Sequence, residues 1–360
     1  MAVTDTRVET VISEPVVGAG SRALSPGQQV WRRFKRDRLA IASGIFLALL
    51  FTVSFLGPPL LESWLGRPAE AVNPNAQILN KGVPVGPDTW ALRPDAPTKL
   101  RILPNDKQLD FCKVARADRS KFCWYYPLGA DGNVGHDELS WLVKGARTSL
   151  EVAIGATFVS IFIGVLLGSL AGYLGGFVDG TVSRVIEIIM AFPITLFIVA
   201  LAAVQSEYRR YTLFGLLPRG ALLVIVVISA FGWYYPARVI RGQVLSLKEK
   251  EFVEAARMLG ASPWRVVRSH LLPFLVAPVI VYSTLIIGQN VLAEAGLSFL
   301  SVGIDGSEPS WGNLLETSAD LYRYAPLVMV LPGVCLLALT LATNILGDGL
   351  RDAFDPRSNL

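Results

Sequence analysis

The stretch KEKEFVEAARMLGASPWRVVRSHLLP, residues 248–273, sets Glu251, Glu254, Arg257, Arg265 and Arg268 between two strongly apolar segments, 220–237 and 271–293. Runs at 39–61, 152–178, 188–205 and 325–347 are of the same kind; the first two hold no charged residue, and 188–205 is interrupted only by Pro193. Crossing a bilayer as a helix takes about 20 apolar residues, and a backbone in lipid must satisfy its own hydrogen bonds. The six runs therefore predict an all-α membrane protein with six transmembrane helices in a lipid bilayer. Residues 248–273 stand out as charged sequence between the fourth and fifth spans. Composition agrees: 52% of the 360 residues are hydrophobic and 17% charged, against about 25% charged in soluble domains.

Lysine and arginine near the spans set the expected orientation. WRRFKRDR, residues 31–38, brings five basic side chains up to the first run, so this end is expected in the cytoplasm. Counting crossings puts the loop after the fourth span on the same side. That loop carries Arg238, Arg241, Lys248, Lys250, Arg257, Arg265 and Arg268; Arg209 and Arg210, on the other side, are outnumbered. The net charge of +4 follows this topology, and nothing else points to nucleic acid. The polar leader reads as a disordered tail, and the first run is too long for a signal segment. The expected organisation is a cytoplasmic tail 1–38, a first span 39–61, an extracytoplasmic cap 62–142, a core 143–350 with five spans and the loop 238–273, and a cytoplasmic tail 351–360.

The cap is rich in Pro, Asn, Asp and Gly and is expected to be small and irregular. It contains FCKVARADRSKFC, in which Cys112 and Cys123 stand eleven apart. Outside the cytoplasm such a pair reads as a disulfide. Metal binding is the weaker reading, because His136 is the only histidine on that side. Cys335, mid-span, reads as a packing residue.

Within 246–259 good helix formers place Phe252, Ala255, Ala256 and Leu259 on one apolar face. Gly260 is expected to stop that helix. Ser262 and Pro263 start a second one, running to Leu272 and Pro273. Such a hairpin either lies on the lipid surface or docks into a groove on a cytoplasmic partner. Docking is favoured by the small residues Ala255, Ala256 and Gly260, and by charges of both signs where a binder of anionic lipid would be mostly basic.

EAARMLGASPWRVVRSHLLP resembles the EAA motif of bacterial ABC-importer permeases, with Glu254, Ala255, Ala256, Gly260, Leu272 and Pro273 at its positions. His270 points to the peptide/nickel subgroup. GARTSL (145–150), GYLGGFVD (172–179), AFP (191–193), RGQVLSLKEKEFVEAAR (241–257), EAGLSFLSVGI (294–304), PSWGNLL (309–315) and LGDGLRDAFDPR (346–357) match in order. The similarity covers nearly everything from Tyr126 onward plus the first span, and is greatest to the C-type subunits of dipeptide and oligopeptide importers. PLGADGNVGHDELS departs from the family's pattern, with His136 where an arginine is usual, and the cap is longer than usual. The resemblance implies a type I ABC-importer permease fold with a small extracytoplasmic insertion between helices 1 and 2, in a bacterial cytoplasmic membrane, both termini inside. It implies a heterodimer with a homologous B-type permease, two cytoplasmic ATPase subunits coupled through Glu254, Ala255, Ala256, Gly260, Leu272 and Pro273, and an extracytoplasmic substrate-binding protein. Cargo would be di- or oligopeptides, with nickel chelates or another small solute as alternatives, moved by alternating access.

The chain itself is not expected to be an enzyme or to hold a cofactor. Gly-Lys occurs nowhere, so ATP and Mg are expected on the partner ATPases. Two distant histidines, His136 and His270, argue against zinc or histidine catalysis, and Ser298 and Ser301 have no histidine at their depth for a membrane protease. An ion-driven carrier would need ionisable groups in the spans, which are nearly absent. Ser283, Thr284, Asn290 and Glu294 on the fifth span are candidates for the pathway, Glu294 with the alternative of an interfacial carboxylate reached by water. Pro193, Pro278 and Pro332 are candidate hinges or tolerated kinks.

Overall fold

In the computed structural model, residues 25–355 are described except 79–82, 102, 104, 115–118, 132–133, 194–210, 213–216, 219, 305 and 307. Within the expected N-terminal tail the basic stretch is helical, forming α1 (Pro26–Phe34). Ser25 and Gln28 close a capping box and Pro26 takes the first position, where its missing N–H costs nothing. Asp37 then caps α2 (Arg38–Leu65) by accepting from the Leu39 and Ala40 N–H groups. Arg33 reaches across to donate to the Asp355 carbonyl at the far end of the chain.

The cap is more regular than its composition implies. A two-residue ladder pairs β1 (Gln77–Ile78) with β2 (Val83–Pro84), and β3 (Thr89–Leu92) pairs antiparallel with β4 (Cys123–Tyr126). Helices α3 (Thr98–Arg101), α4 (Asn105–Val114) and α5 (Arg119–Phe122) lie between β3 and β4. The order comes from a small apolar core of Ala76, Val85, Ala91, Leu109, Tyr126 and Ala130, together with a disulfide between Cys112 and Cys123 that packs with Leu92 and Ala96.

The remaining helices form the membrane body: α6 (Glu138–Leu174), α7 (Gly176–Ala191), α8 (Ala221–Gly232), α9 (Tyr234–Leu247), α10 (Glu251–Met258), α11 (Pro263–Phe299), α12 (Trp311–Ser318) and α13 (Pro326–Phe354). Strands β5 (Tyr211–Thr212) and β6 (Leu217–Pro218) make a two-residue ladder before α8. Among the described residues, α2, α6, α11 and α13 are each long and apolar enough to cross a membrane; α8 and α9 add a fifth span if their 42° bend is counted as one crossing. The expected third span, 188–205, lies for the most part outside the described residues. The fourth differs from a straight span because the chain turns at Trp233 and continues as a second helix.

Helix α6 is the axis of the body and packs against α2, α7, α8, α9 and α11. Its 37 residues span about 55 Å. The cap sits at its start and the 248–273 hairpin at its end. Three glycines at four-residue spacing, Gly164, Gly168 and Gly172, let α9 approach the α6 backbone. A Cβ on Gly168 would stand 2.4 Å from the Ala237 carbonyl oxygen, and one on Gly172 2.9 Å from that of Arg241. Small residues at this spacing permit close helix contact where lipid supplies no hydrophobic drive for association.

Candidate functional site

Helix α9 ends at Leu247, and α10 begins at Glu251 after a break at Lys248–Lys250. The helix expected over 246–259 is therefore two helices. Leu247 is held in the core of α9 and α11, so α10 must turn to lay its own face on the next element. That face is Val253, packed with Val266, Val267 and Leu271, and the buried Ala256. The face expected from Phe252, Ala255, Ala256 and Leu259 is rotated: only Ala256 of that set is buried, and Leu259 is 89% exposed.

The turn follows from Gly260, which takes a left-handed backbone with φ 81°. The Ala261 N–H donates to the Ala256 carbonyl and the Gly260 N–H to that of Arg257, the double bond of a Schellman cap. Ser262 caps the next helix by accepting from the Arg265 N–H, with Pro263 at its first position. The second helix does not stop at Pro273. Residues Val266–Leu271 form a π turn, closed by a bond from the Leu272 N–H to the Val267 carbonyl, and the chain runs on as α11. The wider turn accommodates Pro273, which has no N–H to return. At the tip Met258 is 80% and Trp264 58% exposed, while Glu254, Ala255 and Pro273 face outward and Leu272 is half-buried. The hairpin is an apolar tip on a packed base.

That base is tied to the end of α6. Arg257 donates from Nε to the Tyr173 hydroxyl at 3.3 Å with its guanidinium over the ring, and Lys248 donates to the Gly172 carbonyl at 3.2 Å. Arg241 on α9 makes a two-pronged ion pair with Asp179 on α7, one prong at 2.7 Å. Hydrogen bonding to that guanidinium is the main reason the Asp179 carboxyl is held below the usual carboxylate range.

At the other end of α9, the bend at Trp233 opens a cavity of about 420 Å³ between α8, α9 and α11. Phe231, Tyr234, Tyr235, Gln289, Asn290 and Ala293 line it. Of the four expected pathway residues, Asn290 borders this space and donates to Thr157 of α6. Ser283 and Thr284 spend their hydroxyls on the Val279 and Val281 carbonyls of their own helix, and Thr284 lies against Gly347 of α13. Glu294 is fully buried rather than reached by water: it accepts from Ser149 on α6 at 2.7 Å and from Ser298 at 2.8 Å. The aromatic lining was not anticipated, and FGWYYP (231–236) was its only sign in the sequence.

The profile of the family described as "Binding-protein-dependent transport system inner membrane component" matches residues 164–359, more than half of the chain. The chain belongs to this permease family. A second profile, "N-terminal TM domain of oligopeptide transport permease C", matches residues 25–76. The permease is 30% identical over 335 residues to the glutathione transport system permease protein GsiD of Pectobacterium atrosepticum, covering 92% of each chain. It is 34% identical over 335 residues to GsiD of Salmonella typhimurium, covering 92% of this chain and 91% of that one. Among solved structures, a chain of the MetNI methionine ABC transporter in an inward-facing conformation aligns at 22% identity and a TM-score of 0.48, covering 60% of the permease and 96% of that chain. By its family the permease is a multi-pass inner-membrane component of a binding-protein-dependent importer, a transport component rather than an enzyme.

Two polar clusters brace the permease at its cap end. Ser149, Ser298 and Glu294 join α6 to α11, and the same serines accept from the N–H groups of Trp311 and Ile304. This ties Ile304 to α11 and the start of α12 to α6. Beneath the cap Arg67 pairs with Asp137 at 2.7 Å and stacks on Tyr126 and Trp124. Asp137 also caps α6 through the Ser140 N–H. His136 bonds Asp131 at 2.8 Å and stacks on Trp141. It closes the turn into α6 and is not offered to solvent.

Proposed function

We propose that this permease is the C-type half of a heterodimer with a homologous B-type permease, completing six spans with both termini in the cytoplasm, and that it imports short peptides. Two cytoplasmic ATPases bind the ATP and Mg, and one of them receives the hairpin tip. The observation that carries the reading is that tip: Met258, Leu259 and Trp264 exposed at 80, 89 and 58% on a capped turn whose base is packed. Apolar side chains held out of a rigid base are suited to a groove on a partner, and Glu254, Ala255 and Gly260 supply a small, partly charged flank. An extracytoplasmic cap is supported by its disulfide, since such bonds persist in oxidising compartments.

Peptide cargo is supported by the glutathione permeases among the relatives, glutathione being a tripeptide. The cavity beside Tyr234, Tyr235, Gln289 and Asn290 is of a size used for small ligands. Among the described residues it offers hydroxyl and amide groups suited to peptide bonds and no charged side chain that would trap one cargo. Uptake of labelled glutathione and of di- to pentapeptides should fall in a strain lacking the permease and return with the gene. Retained peptide uptake with lost uptake of a nickel chelate would replace the cargo and keep the importer.

A further inference from the structure

The corner GYLGGFVD, residues 172–179, lies beside the hairpin, and hairpin docking by itself assigns it no task. The structure shows what meets there. Gly175 and Gly176 both take left-handed backbones, φ 67° and 52°, and turn the chain from α6 into α7. Four contacts converge on this corner. Val244 of α9 packs against Gly172. Lys248, at the end of α9, donates to the Gly172 carbonyl, one of the final carbonyls of α6 that has no partner within its own helix. Arg257, on the hairpin helix, holds Tyr173 by a hydrogen bond and by its charge over the ring. Arg241 forks onto Asp179 in the first turn of α7.

These contacts make one block of the hairpin, the lower half of α9 and the α6–α7 corner. Val253 of α10 packs with Ile240 and Val244 of α9, and Arg257 ties α10 to Tyr173 of α6, so a push on the hairpin is passed to both helices. Nor can α9 slide along α6, because its backbone sits on Gly164, Gly168 and Gly172. The nearest break in the helical path is the 42° bend at Trp233, where the cavity lies. Helix α9, 14 residues and about 21 Å long, is the bar between them. Trp233 and Ala237 also pack with Ile186 of α7, so α7 touches the bend from the side while Asp179 holds the middle of α9 through Arg241.

Resting on the reading that the hairpin docks an ATPase, we propose that the Arg241–Asp179 pair is the joint that transmits hairpin movement to the bend at Trp233, making both residues positioning residues for ATP-driven transport. With the joint intact, α7 and α9 move together and the bend changes angle. With it open, α9 turns against α7 and the movement is lost before it reaches the cavity. The planar two-pronged geometry matters for this role, because it resists rotation where a single contact between point charges would not.

The test uses the assembled importer in proteoliposomes, with Asp179→Asn, Arg241→Lys and the exchanged pair Asp179→Arg/Arg241→Asp. Each carries Met258→Cys so that the hairpin can be cross-linked to the ATPase. The readouts are cross-linking yield and glutathione or dipeptide transported per ATP hydrolysed, the second of which a general loss of stability would not move in the fraction that remains assembled. Transport per ATP should fall on the order of tenfold in Asp179→Asn, within the usual range of coupling between sites. It should fall less in Arg241→Lys, which keeps the charge and loses the fork, and recover in part in the exchanged pair, with cross-linking unchanged throughout. An unchanged ratio in Asp179→Asn and Arg241→Lys overturns the joint. So does a ratio that falls only in step with lost cross-linking, since the pair would then merely shape the hairpin. Absence of cross-linking in the otherwise native importer would instead overturn the docking reading on which the joint rests.

Discussion

Adding a single methyl group to Gly168 should loosen the permease more than its size suggests. A Cβ there would stand 2.4 Å from the Ala237 carbonyl oxygen and 3.1 Å from both the Ala237 Cα and the Ile240 Cβ, where ordinary contact begins at 3.4 Å. The main obstacle is backbone, so no rotamer change relieves it. Helix α9 has to back away by about 1 Å, and the move is felt at Gly164 and Gly172 on either side. Overpacking of this kind costs about 1–3 kcal/mol, which corresponds to a fall in Tm of roughly 1–4 °C for a chain of this size. Gly180→Ala is the matched control: it makes the same chemical change in a helix, and a Cβ at Gly180 meets nothing within 4 Å. By helix propensity alone it should be neutral or stabilise by about 0.5–1 kcal/mol. Thermal unfolding of both purified variants, followed by tryptophan fluorescence in one detergent, gives the comparison. A Gly168→Ala midpoint at or above that of Gly180→Ala would refute the backbone contact between α6 and α9.

Gly260→Trp should insert normally, because a Cβ at that site meets nothing within 4 Å and the left-handed backbone costs only about 1–2 kcal/mol. Peptide-stimulated ATP hydrolysis in the reconstituted importer should nevertheless be lost, and normal stimulation would show that the tip docks nothing. Membrane-impermeant thiol reagents should leave Cys112 and Cys123 unlabelled in intact cells until a reductant is added; Cys112→Ser/Cys123→Ser should weaken the cap by about 2–3 kcal/mol, read as faster proteolysis of residues 62–142. Asp137→Ala should cost about 3–5 kcal/mol by leaving Arg67, 6% exposed, as an unpaired buried charge. Asp137→Asn, which keeps the helix cap, should lower the Tm less. Glu294→Leu should destabilise by about 1–3 kcal/mol for each serine left unpaired while Glu294→Gln is milder, and equal Tm values for the two would remove the hydrogen-bonded brace.

Much of the site was legible from local sequence because its causes are local. Gly260 ends a helix since only glycine enters the left-handed region without strain, and Ser262–Pro263 starts one since both residues suit a helix N-terminus. The apolar runs follow from bilayer thickness alone, which is why α2, α6, α11 and α13 lie where hydropathy puts them. The glycine seam of Gly164, Gly168 and Gly172 emerged only from the structure, because four-residue spacing does not name the helix that fills it.

What the sequence by itself determined is therefore the apolar spans α2, α6, α11 and α13 and the glycine stop and serine cap of the hairpin turn. Only the tertiary structure decided which face of each helix is used and against what. Phe252, Ala255, Ala256 and Leu259 made as good an apolar stripe on paper as Val253 and Ala256. The choice between them fell to Val266, Val267 and Leu271, which come from a different helix. Glu294 read as a pathway residue because a carboxylate in lipid needs a reason. Its partner in the structure is Ser149, 145 positions away in the chain, and Arg241 meets Asp179 across 62. Periodicity records that a side chain must leave water or lipid. Its partner is set by the packing of whole helices, a property of distances in space that no stretch of sequence contains.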